Sequence, residues 1–525
     1  MPKKSIIPLA LAALCSLAGC RATSSTDAVS TPSAATQTES VQAVSTESSS
    51  EMFTDRDLEI GYDEETSVPI TLSGDSASSD SDAVQISGST VTITDEGTYL
   101  LSGTLQDGSI VVSAEDTDKI QLVLDGVDIT SATSAAIYVL EADKVFLTTA
   151  SGSENTLTNG GEYVAIDENN IDGVIFSKSD LTLNGAGTLT IQANAGHGIV
   201  SKDDLVLTSG TYDITAASQG LSGKDSVRIA NGSYSIVSGK DGIHAENTDD
   251  TSLGFLYVAG GTFEITAQGD GMSASGYLQV EGGTFTITTG EGSASVTMTT
   301  DTMSAGPGGF QAGTATTQEE DSDSQKGLKA DGAITLADGS FVTDTVDDSI
   351  HAGGEIRLTG GTYQLRSGDD AIHSDGAVVL ENGDVTIPYC YEGIEGLSIT
   401  IEDGTFDITS VDDGINAAGG TDSSGFGGAR PGQEQFSASS DSSILINGGT
   451  VVIVSTGDCV DSNGSLTING GSLNLTCNGS GNTTLDCDGT YALNGGDITT
   501  NDGAENNPGQ MGGGMGKQNG GAFRG

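Results

Sequence analysis

The strongest constraint on the fold of this chain is a repeat of 22 residues. Successive equivalent positions, most of them glycine, are separated by 22, 22, 29, 56, 22, 22, 22, 21, 45 and 22 residues. These marker positions are Gly198, Gly220, Gly242, Gly271, Gly327, Ser349, Ala371, Gly393, Gly414, Cys459 and Gly481. A constant period interrupted by longer intervals indicates a solenoid in which some coils carry loop insertions.

Each repeat contains three short apolar segments. Apolar residues alternate before and after a glycine turn, as at Leu205, Leu207, Tyr212 and Ile214, so each segment buries one face. A third inward position follows the marker at Ile199, Leu221, Ile243, Met272, Leu328, Ile350, Ile372, Ile394, Ile415 and Val460. Two segments joined by a glycine turn would suit a β-meander or a β-sandwich. The third segment favours an all-β, right-handed parallel β-helix, whose strands pair with the coils above and below about 4.8 Å away.

Two further columns of equivalent residues support a packed coil. The turn glycines, where a positive φ is expected, are Gly210, Gly232, Gly261, Gly283, Gly339, Gly361, Gly383, Gly404, Gly449, Gly471 and Gly496. The aromatic column consists of Tyr212, Tyr234, Phe263, Phe285, Phe341, Tyr363 and Phe406, and its spacing from the inward residues predicts stacking inside the core. Tyr389 and Tyr391 are the better candidates for exposed aromatic rings.

The N-terminus has the pattern of a bacterial lipoprotein signal peptide. Lys3 and Lys4 precede an apolar run, which ends in Leu-Ala-Gly-Cys at residues 17–20. We therefore predict a signal peptide over residues 1–19, lipidation of Cys20, and an extracytoplasmic protein held at the cell membrane by lipid only. An ordinary cleaved signal peptide with an incidental cysteine is the alternative.

Composition along the chain predicts the domain boundaries. Residues 20–52 are rich in serine and threonine, which indicates a disordered tether. The β-helix is expected over residues 53–500, with loop insertions at about 290–325 and 419–440. The Gly-rich tail, residues 501–525, has too few apolar residues to form a core and is predicted to be disordered.

An acidic column precedes the marker. The chain has 18 basic and 74 acidic residues, a net charge of −56, which opposes nucleic acid and attracts cations. Carboxylates stacked about 4.8 Å apart repel by roughly 3 to 4 kcal/mol at an effective dielectric of 20. Calcium, which prefers six to eight oxygen ligands, would relieve this repulsion. The predicted Ca²⁺ ligands are Asp241, Asp270, Asp347, Asp348, Asp369, Asp370, Asp412 and Asp413, and the alternative is that these acids cap the glycine turns.

Two cationic or polar columns are candidates for carbohydrate contacts. His244, His351 and His373 each lie three residues after an acid of the column, where they could bind sugar hydroxyls or simply form a solvated face. The second column is Lys178, Lys202 and Lys224, which could bind sugar carboxylates. Neutralisation of these lysines by the adjacent Asp180, Asp203, Asp204 and Asp225 is the alternative.

The sequence pattern of the repeats resembles that of a known bacterial family. The segments VLDGVDITSATSAAIYV, GVIFSKSDLTLNGAGTLTI and GIVSKDDLVLTSGTYDIT resemble carbohydrate-binding proteins built as calcium-containing parallel β-helices, related in shape to polysaccharide lyases. The resemblance covers residues 85 to 500, approximately. It implies binding of a cellulose-like or acidic plant polysaccharide, bound calcium at the acidic turn positions, and a place for the three lysines in the family motif.

Two other functions remain open from the sequence. A pectate-lyase-like enzyme would use calcium and an unprotonated arginine as the base, and Arg357 and Arg366 are the candidates. A non-catalytic adhesin or rigid spacer would need only the rod shape of the solenoid. We favour the hypothesis that the protein binds polysaccharide without catalysis.

Overall fold

The chain forms a parallel β-helix with three sheets. The computed structural model describes residues 52–298, 324–418 and 442–508. Each coil gives one strand to each sheet, numbered in chain order. The first sheet contains β10 (Glu154–Asn159), β13 (Thr188–Ala193), β16 (Thr211–Ala216), β19 (Ser233–Ser238), β22 (Thr262–Ala267), β25 (Thr284–Thr289), β28 (Ser340–Thr345), β31 (Thr362–Ser367), β33 (Asp384–Tyr389), β35 (Thr405–Thr409), β38 (Thr450–Ser455), β41 (Ser472–Cys477) and β43 (Asp497–Thr500).

The other two sheets follow the same coils. The second sheet contains β4 (Thr90–Ile93), β6 (Ser109–Ser113), β8 (Ile137–Glu141), β11 (Gly173–Ser177), β14 (His197–Ser201), β17 (Leu221–Gly223), β20 (Ile243–Ala245), β23 (Met272–Ala274), β26 (Leu328–Ala330), β29 (Ile350–Ala352), β36 (Ile415–Ala417) and β39 (Val460–Ser462). The third sheet contains β9 (Lys144–Thr149), β12 (Asp180–Gly185), β15 (Asp204–Leu207), β18 (Ser226–Ile229), β21 (Phe255–Val258), β24 (Leu278–Val280), β27 (Ile334–Leu336), β30 (Ile356–Leu358), β37 (Ser443–Ile446), β40 (Ser465–Ile468) and β42 (Tyr491–Leu493).

A few strands bridge sheets or close the N-terminal end. The strands β32 (Ile372–Leu380) and β34 (Ile394–Ile401) each run through the second and third sheets. The first coils use β1 (Val68–Gly74), β5 (Gly97–Leu105) and β7 (Lys119–Ser131), and β7 pairs with both β9 and β10. Two antiparallel pairings, of β2 (Ala77–Ser78) with β1 and of β3 (Val84–Ser87) with β4, also lie at this end.

The register confirms the predicted coil. Ile199 pairs with Leu221, Leu205 with Val227, and Tyr212 with Tyr234. Strands therefore pair with the neighbouring coils and not with each other within one coil, which excludes the meander. The last marker is wrong by three residues: the amide of Cys459 donates to the carbonyl of Thr483, so the equivalent position is Thr484 and not Gly481.

The aromatic column lies in the core, as predicted. All seven rings are buried, and Tyr212 through Tyr363 stack with centroids 4.6 to 5.1 Å apart. The turn glycines also have the expected conformation; Gly283, for example, has φ +127°. A Cβ on Gly283 would lie 3.0 Å from the carbonyl oxygen of Gly261 in the preceding coil.

Residues 52–61 form a strap that crosses the outer face of the third sheet. Its first residues lie beside Tyr257, whose ring centroid is 6.0 Å from that of Phe53. The carboxylate of Asp57 contacts two coils, accepting a hydrogen bond from Thr182 at 2.6 Å and pairing with Lys144 at 2.8 Å. The strap ends where the Gly61 carbonyl accepts a hydrogen bond from Gln121. The first strand begins only at Val68, later than the predicted start of the β-helix at residue 53.

The described C-terminal residues extend past the predicted end of the helix. Residues 501–508 contain a 3₁₀ turn, Ala504–Asn506, and Asp502 accepts a hydrogen bond from the Thr484 hydroxyl at 2.6 Å. A second 3₁₀ turn, Ser293–Ser295, lies just before one gap in the described residues. Cys20, the signal peptide, the tether up to residue 51, most of both loop insertions and the tail from residue 509 lie outside the described residues.

Two absences hold for the described part of the chain. None of its helices is long and apolar enough to cross a membrane. Its four cysteines, Cys390, Cys459, Cys477 and Cys487, are all free thiols.

Candidate functional site

The acidic column runs along the corner between the first and second sheets. In most coils one carboxylate oxygen of the acid accepts the backbone N–H of the equivalent residue in the next coil. The distances are 2.8 Å from Asp241 to Asp270, 3.0 Å from Asp348 to Asp370 and 2.6 Å from Asp413 to Asp458. The column thus has a structural role, which it fulfils through the neighbouring coil.

In the first coils of the column, side-chain nitrogens of the protein contact the acids. The imidazole Nδ1 of His244 lies 2.7 Å from Asp241, and that of His351 lies 2.9 Å from Asp348. Lys329 approaches Asp270 at 3.5 Å. Two of the histidines predicted to bind sugar are therefore already paired with acids, although their side chains keep 17% and 13% exposure.

Lys326 interrupts the column of acids and was not among the sequence candidates. Its backbone N–H donates to Asp270, as an acid at this position would. Its ammonium lies 2.8 Å from Asp347 Oδ1 and 2.6 Å from Asp348 Oδ2. Asp369 has a carboxylate oxygen within 4.8 Å of the same cluster. The predicted metal site at these acids therefore contains a side-chain ammonium.

The electrostatics of this cluster are dominated by burial and by Lys326. Burial alone would lower the pKa of Lys326, but the two carboxylates raise it above its ordinary value. Burial would raise the pKa of Asp348, and Lys326 with His351 holds it far below its usual range. The pKa of Asp347 is raised, by burial first and then by the charge of Asp348. The lysine is held charged beside an ionised Asp348.

His373 lies in a second cluster, with Asp370 and Glu395. Its Nδ1 is 3.0 Å from Asp370 and 2.8 Å from Glu395, and its ring stacks on that of His351 with centroids 5.0 Å apart. Burial would lower its pKa, but the surrounding carboxylates raise it well above the ordinary value. The side chain is only 1% exposed, so His373 is an internal cation and is not on the accessible surface.

The described residues of the last coils of the column include acids but no cationic side chain. Asp458, Asp461 and Asp486 each offer a carboxylate oxygen within 4.8 Å of the others. In the described residues 374–418 and 442–508 there is no lysine, arginine or histidine. Burial, and then neighbouring carboxylates, raise the pKa of Asp461 to about 7, and burial raises that of Asp458 to about 6. We call Asp458, Asp461 and Asp486 the C-terminal acid cluster.

Asp413 and Asn416 lie beside the C-terminal acid cluster. Asp413 is half-buried, and its pKa is raised well above the usual range by burial and by the charges of Asp461, Asp412 and Asp458. Asn416, which pairs with Asp461 in register, is 2% exposed; its amide nitrogen donates to Glu392, and its Oδ1 has no hydrogen-bond partner. Carboxylate and amide oxygens without nitrogen or sulfur ligands fit calcium better than zinc.

Asp412 and the two tyrosines lie near this corner. The hydroxyl of Tyr391 donates to Asp412 at 2.7 Å. Tyr391 is only 6% exposed, so the expectation of an exposed ring is wrong for this residue. Tyr389 is partly exposed and lies under the guanidinium of Arg366, whose carbon is 5.6 Å from the ring centroid.

The three lysines form a column at the corner between the second and third sheets. The residues before them, Ser177, Ser201 and Gly223, pair in register. Lys202 lies 3.8 Å from Asp172, and Lys224 lies 3.0 Å from Asp249. These ion-pair partners come from loops that do not repeat, so the period could not reveal them.

Of the two arginines proposed as a lyase base, Arg357 is firmly paired. The guanidinium of Arg357 lies 2.7 Å from Glu355 and 2.5 Å from Glu381. Burial would lower its pKa, but these two acids raise it further above its ordinary value. Arg357 therefore stays protonated and is unsuited to abstract a proton.

Comparisons with known proteins give a consistent family. The family model described as carbohydrate-binding domain-containing protein matches residues 87–371 and 369–507. A carbohydrate-binding domain-containing protein from Acetivibrio thermocellus is 38% identical over 150 residues, which are 28% of this chain and 52% of that protein. The match thus spans about half of the relative. A solved structure, the gadolinium derivative of the polysaccharide lyase-like protein from C. thermocellum, aligns at 35% identity with a TM-score of 0.42, over 43% of this chain and 92% of that one.

Proposed function

We propose that this chain, which belongs to the family of carbohydrate-binding domain-containing proteins, binds a polysaccharide at the cell surface with the help of calcium. The observation that carries the calcium proposal is the C-terminal acid cluster, which lies in coils whose described residues, 374–418 and 442–508, contain no lysine, arginine or histidine. Asp458, Asp461 and Asp486 would hold the ion, and Asn416 Oδ1 is a fourth candidate ligand.

Calcium suits this corner for a physical reason. In the preceding coils, Lys326, Lys329 and the histidines compensate the stacked carboxylates. Without such a partner, an ionised cluster destabilises the fold in two ways, through repulsion between like charges and through the desolvation of buried carboxylates. A divalent ion removes both costs, and calcium tolerates the irregular geometry of ligands from successive coils.

The partly exposed position of the cluster leaves room for a sugar. Asp458, Asp461 and Asp486 are each half-buried, so water molecules would complete the coordination of a bound ion. Sugar hydroxyls can replace such water molecules. The ion would then orient a polysaccharide along the corner, and the protein would need no catalytic base.

The polysaccharide would be a cellulose-like or a uronate-containing polymer. Lys178, Lys202 and Lys224 present a row of ammonium groups at another corner, where they could bind carboxylates of an acidic polymer. Their acid partners lie at or beyond 3.0 Å on partly exposed side chains, and such pairs exchange easily. The lipobox at residues 17–20 would place this surface outside the cell membrane through the lipid on Cys20.

Retention on insoluble polymers tests the proposal. The purified protein is mixed with polygalacturonate gel or cellulose, with calcium or with a chelator. We expect retention on at least one polymer, lost in chelator. Asp461→Asn should lose most of the retention that calcium supports. Asp497→Asn changes an exposed acid outside the cluster and should be retained like wild type.

The same mixtures distinguish the alternatives. Growth of the ultraviolet absorbance of unsaturated uronate would show a lyase and overturn binding without catalysis. Absence of retention on both polymers would favour the spacer. Retention that is equal with and without chelator would remove calcium from the proposal.

A further inference from the structure

A cavity of about 360 Å³ lies where the strap ends over the first coils. Its wall includes Arg56 from the strap, Thr98 from β5, Lys119 and Gln121 from β7, and Phe146 from β9, with Glu96 at the edge. Two cations therefore face one cavity in a chain of net charge −56. Cavities of this size accommodate one or two sugar units.

The floor of the cavity is a fixed polar surface. Gln121 is 4% exposed, and its Oε1 accepts hydrogen bonds from Arg56 at 3.1 Å and from Thr98 at 3.3 Å. Its amide nitrogen donates to Thr148 at 2.9 Å and to the carbonyl of Gly61 at 3.4 Å. Because both ends of the Gln121 side-chain amide are hydrogen-bonded, the amide has a fixed orientation and holds the Arg56 guanidinium in place.

Arg56 lies flat against an aromatic ring. Its guanidinium carbon is 4.3 Å from the centroid of Phe146, a residue that is almost fully buried. Its terminal nitrogens donate to Gln121 and to the carbonyl of Glu59 at 3.2 Å, and one of them also lies 3.6 Å from the Glu59 carboxylate. That ion pair is partly exposed, so a ligand anion can compete with Glu59 for the guanidinium, which has five N–H donors. The stacked, oriented group is suited to an anion with two oxygens.

Lys119 supplies the second cation. Its ammonium lies 3.2 Å from Asp143, and the two side chains are 61% and 45% exposed. An exposed pair of this kind contributes little free energy, so a ligand anion can compete for the ammonium. Lys119 and Arg56 thus present two cationic groups to one cavity, whose lining also includes the polar side chains of Thr98 and Glu96.

We propose that this cavity is a second carbohydrate site, which binds a carboxylate-bearing unit of a saccharide chain. The proposal rests on the proposed carbohydrate-binding function, but it places the sugar at the strap and needs no calcium.

Calorimetry of the full chain in chelator tests the site separately from calcium-dependent retention. The probes are trigalacturonate and its fully methyl-esterified form, which has the same sugar units without the charge. We expect trigalacturonate to bind about tenfold more tightly than the ester, as one charge-assisted contact implies. Lys119→Gln should weaken trigalacturonate binding by about tenfold, while the exposed Lys240→Gln, outside both proposed sites, should bind as wild type.

Each result bears on one proposal. Equal affinity for acid and ester, unchanged affinity in Lys119→Gln, an equal loss in Lys240→Gln, or no binding in chelator would overturn the cavity site. Polymer retention that depends on calcium would stand in all those cases. Conversely, Lys119-dependent binding without any polymer retention would leave the cavity site and overturn the calcium-dependent one.

Discussion

The ammonium nitrogen of Lys326 lies 2.6 Å from Oδ2 of Asp348, and both side chains are less than one-tenth exposed. The same nitrogen contacts Asp347 at 2.8 Å. Lys326 thus takes the place that a metal ion would have in a corner formed by acids. The column uses cations from its own chain in one part, whereas the described residues of its last coils, 374–418 and 442–508, contain none.

We predict that Lys326→Met destabilises the protein strongly. Two buried carboxylates would lose their shared ammonium, and removal of one partner from a buried ion pair costs about 3 to 5 kcal/mol. The loss is measured as the free energy of unfolding in urea. Lys329→Met is the comparison, because its ammonium is 3.5 Å from Asp270 and 28% exposed, and it should cost clearly less than Lys326→Met. Equal losses for the two variants would contradict the role of Lys326.

The period of the sequence predicted most of the fold. A buried residue such as Ile199 or Phe285 is determined by alternation within its own coil and by the repeat, so local sequence was sufficient. The acidic column was predicted from the same alignment. Lys326 directly precedes the marker Gly327, so the same alignment could have identified it. Its ammonium occupies the position at Asp347 and Asp348 where the sequence predicted a metal ion.

The remaining features depend on contacts that no period encodes. The strap shows no alternation, and its carbonyl at Met52 accepts a hydrogen bond from Arg228, 176 residues later. His373 is at a position that faces outward in other coils, yet the neighbouring Glu395 and His351 cover it. The shift from Gly481 to Thr484 comes from three extra residues in one coil, which local glycine spacing conceals.

Adjacent glycines give a matched test of the turn. Gly283→Ala should destabilise the protein by about 1 to 3 kcal/mol, because φ is +127° and the new Cβ would meet the Gly261 carbonyl at 3.0 Å. At Gly282 the nearest atom, a carbonyl oxygen, would be 3.8 Å from the new Cβ. Gly282→Ala should therefore change the free energy of unfolding by at most about 0.5 kcal/mol. Urea unfolding of both variants measures the difference, and a ranking in the opposite order would exclude the proposed strain.

The aromatic stack predicts a large cavity effect. Phe341 lies between Phe285 at 4.6 Å and Tyr363 at 5.0 Å, measured between ring centroids. Phe341→Ala should cost about 3 to 5 kcal/mol, because the ring's contacts in both neighbouring coils are lost. The next residue, Val342, is 40% exposed, and Val342→Ala should stay within about 0.5 kcal/mol of wild type. Thermal or urea unfolding compares the two variants. A small decrease in the stability of Phe341→Ala would show that the neighbouring rings repack to fill the cavity.

The strap should make stability depend on pH through Asp57. Burial would raise the pKa of this carboxyl, but Lys144, Thr182 and Thr54 lower it from 3.8 to about 2. Because the folded pKa lies below the unfolded one, the ionised carboxylate stabilises the fold above about pH 4. That contribution, roughly 2 kcal/mol, is lost as the pH falls from about 4 toward 2.

The difference between wild type and Asp57→Asn isolates this effect, since the other acids titrate in both proteins. We expect the asparagine variant to be less stable by roughly 2 kcal/mol at neutral pH and the gap to close toward pH 2. Urea unfolding at a series of pH values measures the gap. Asp55→Asn, at an exposed position of the same strap, should change the free energy of unfolding only slightly at neutral pH. A constant gap for Asp57→Asn would mean that its hydrogen bonds, and not its charge, hold the strap to β9 and β12.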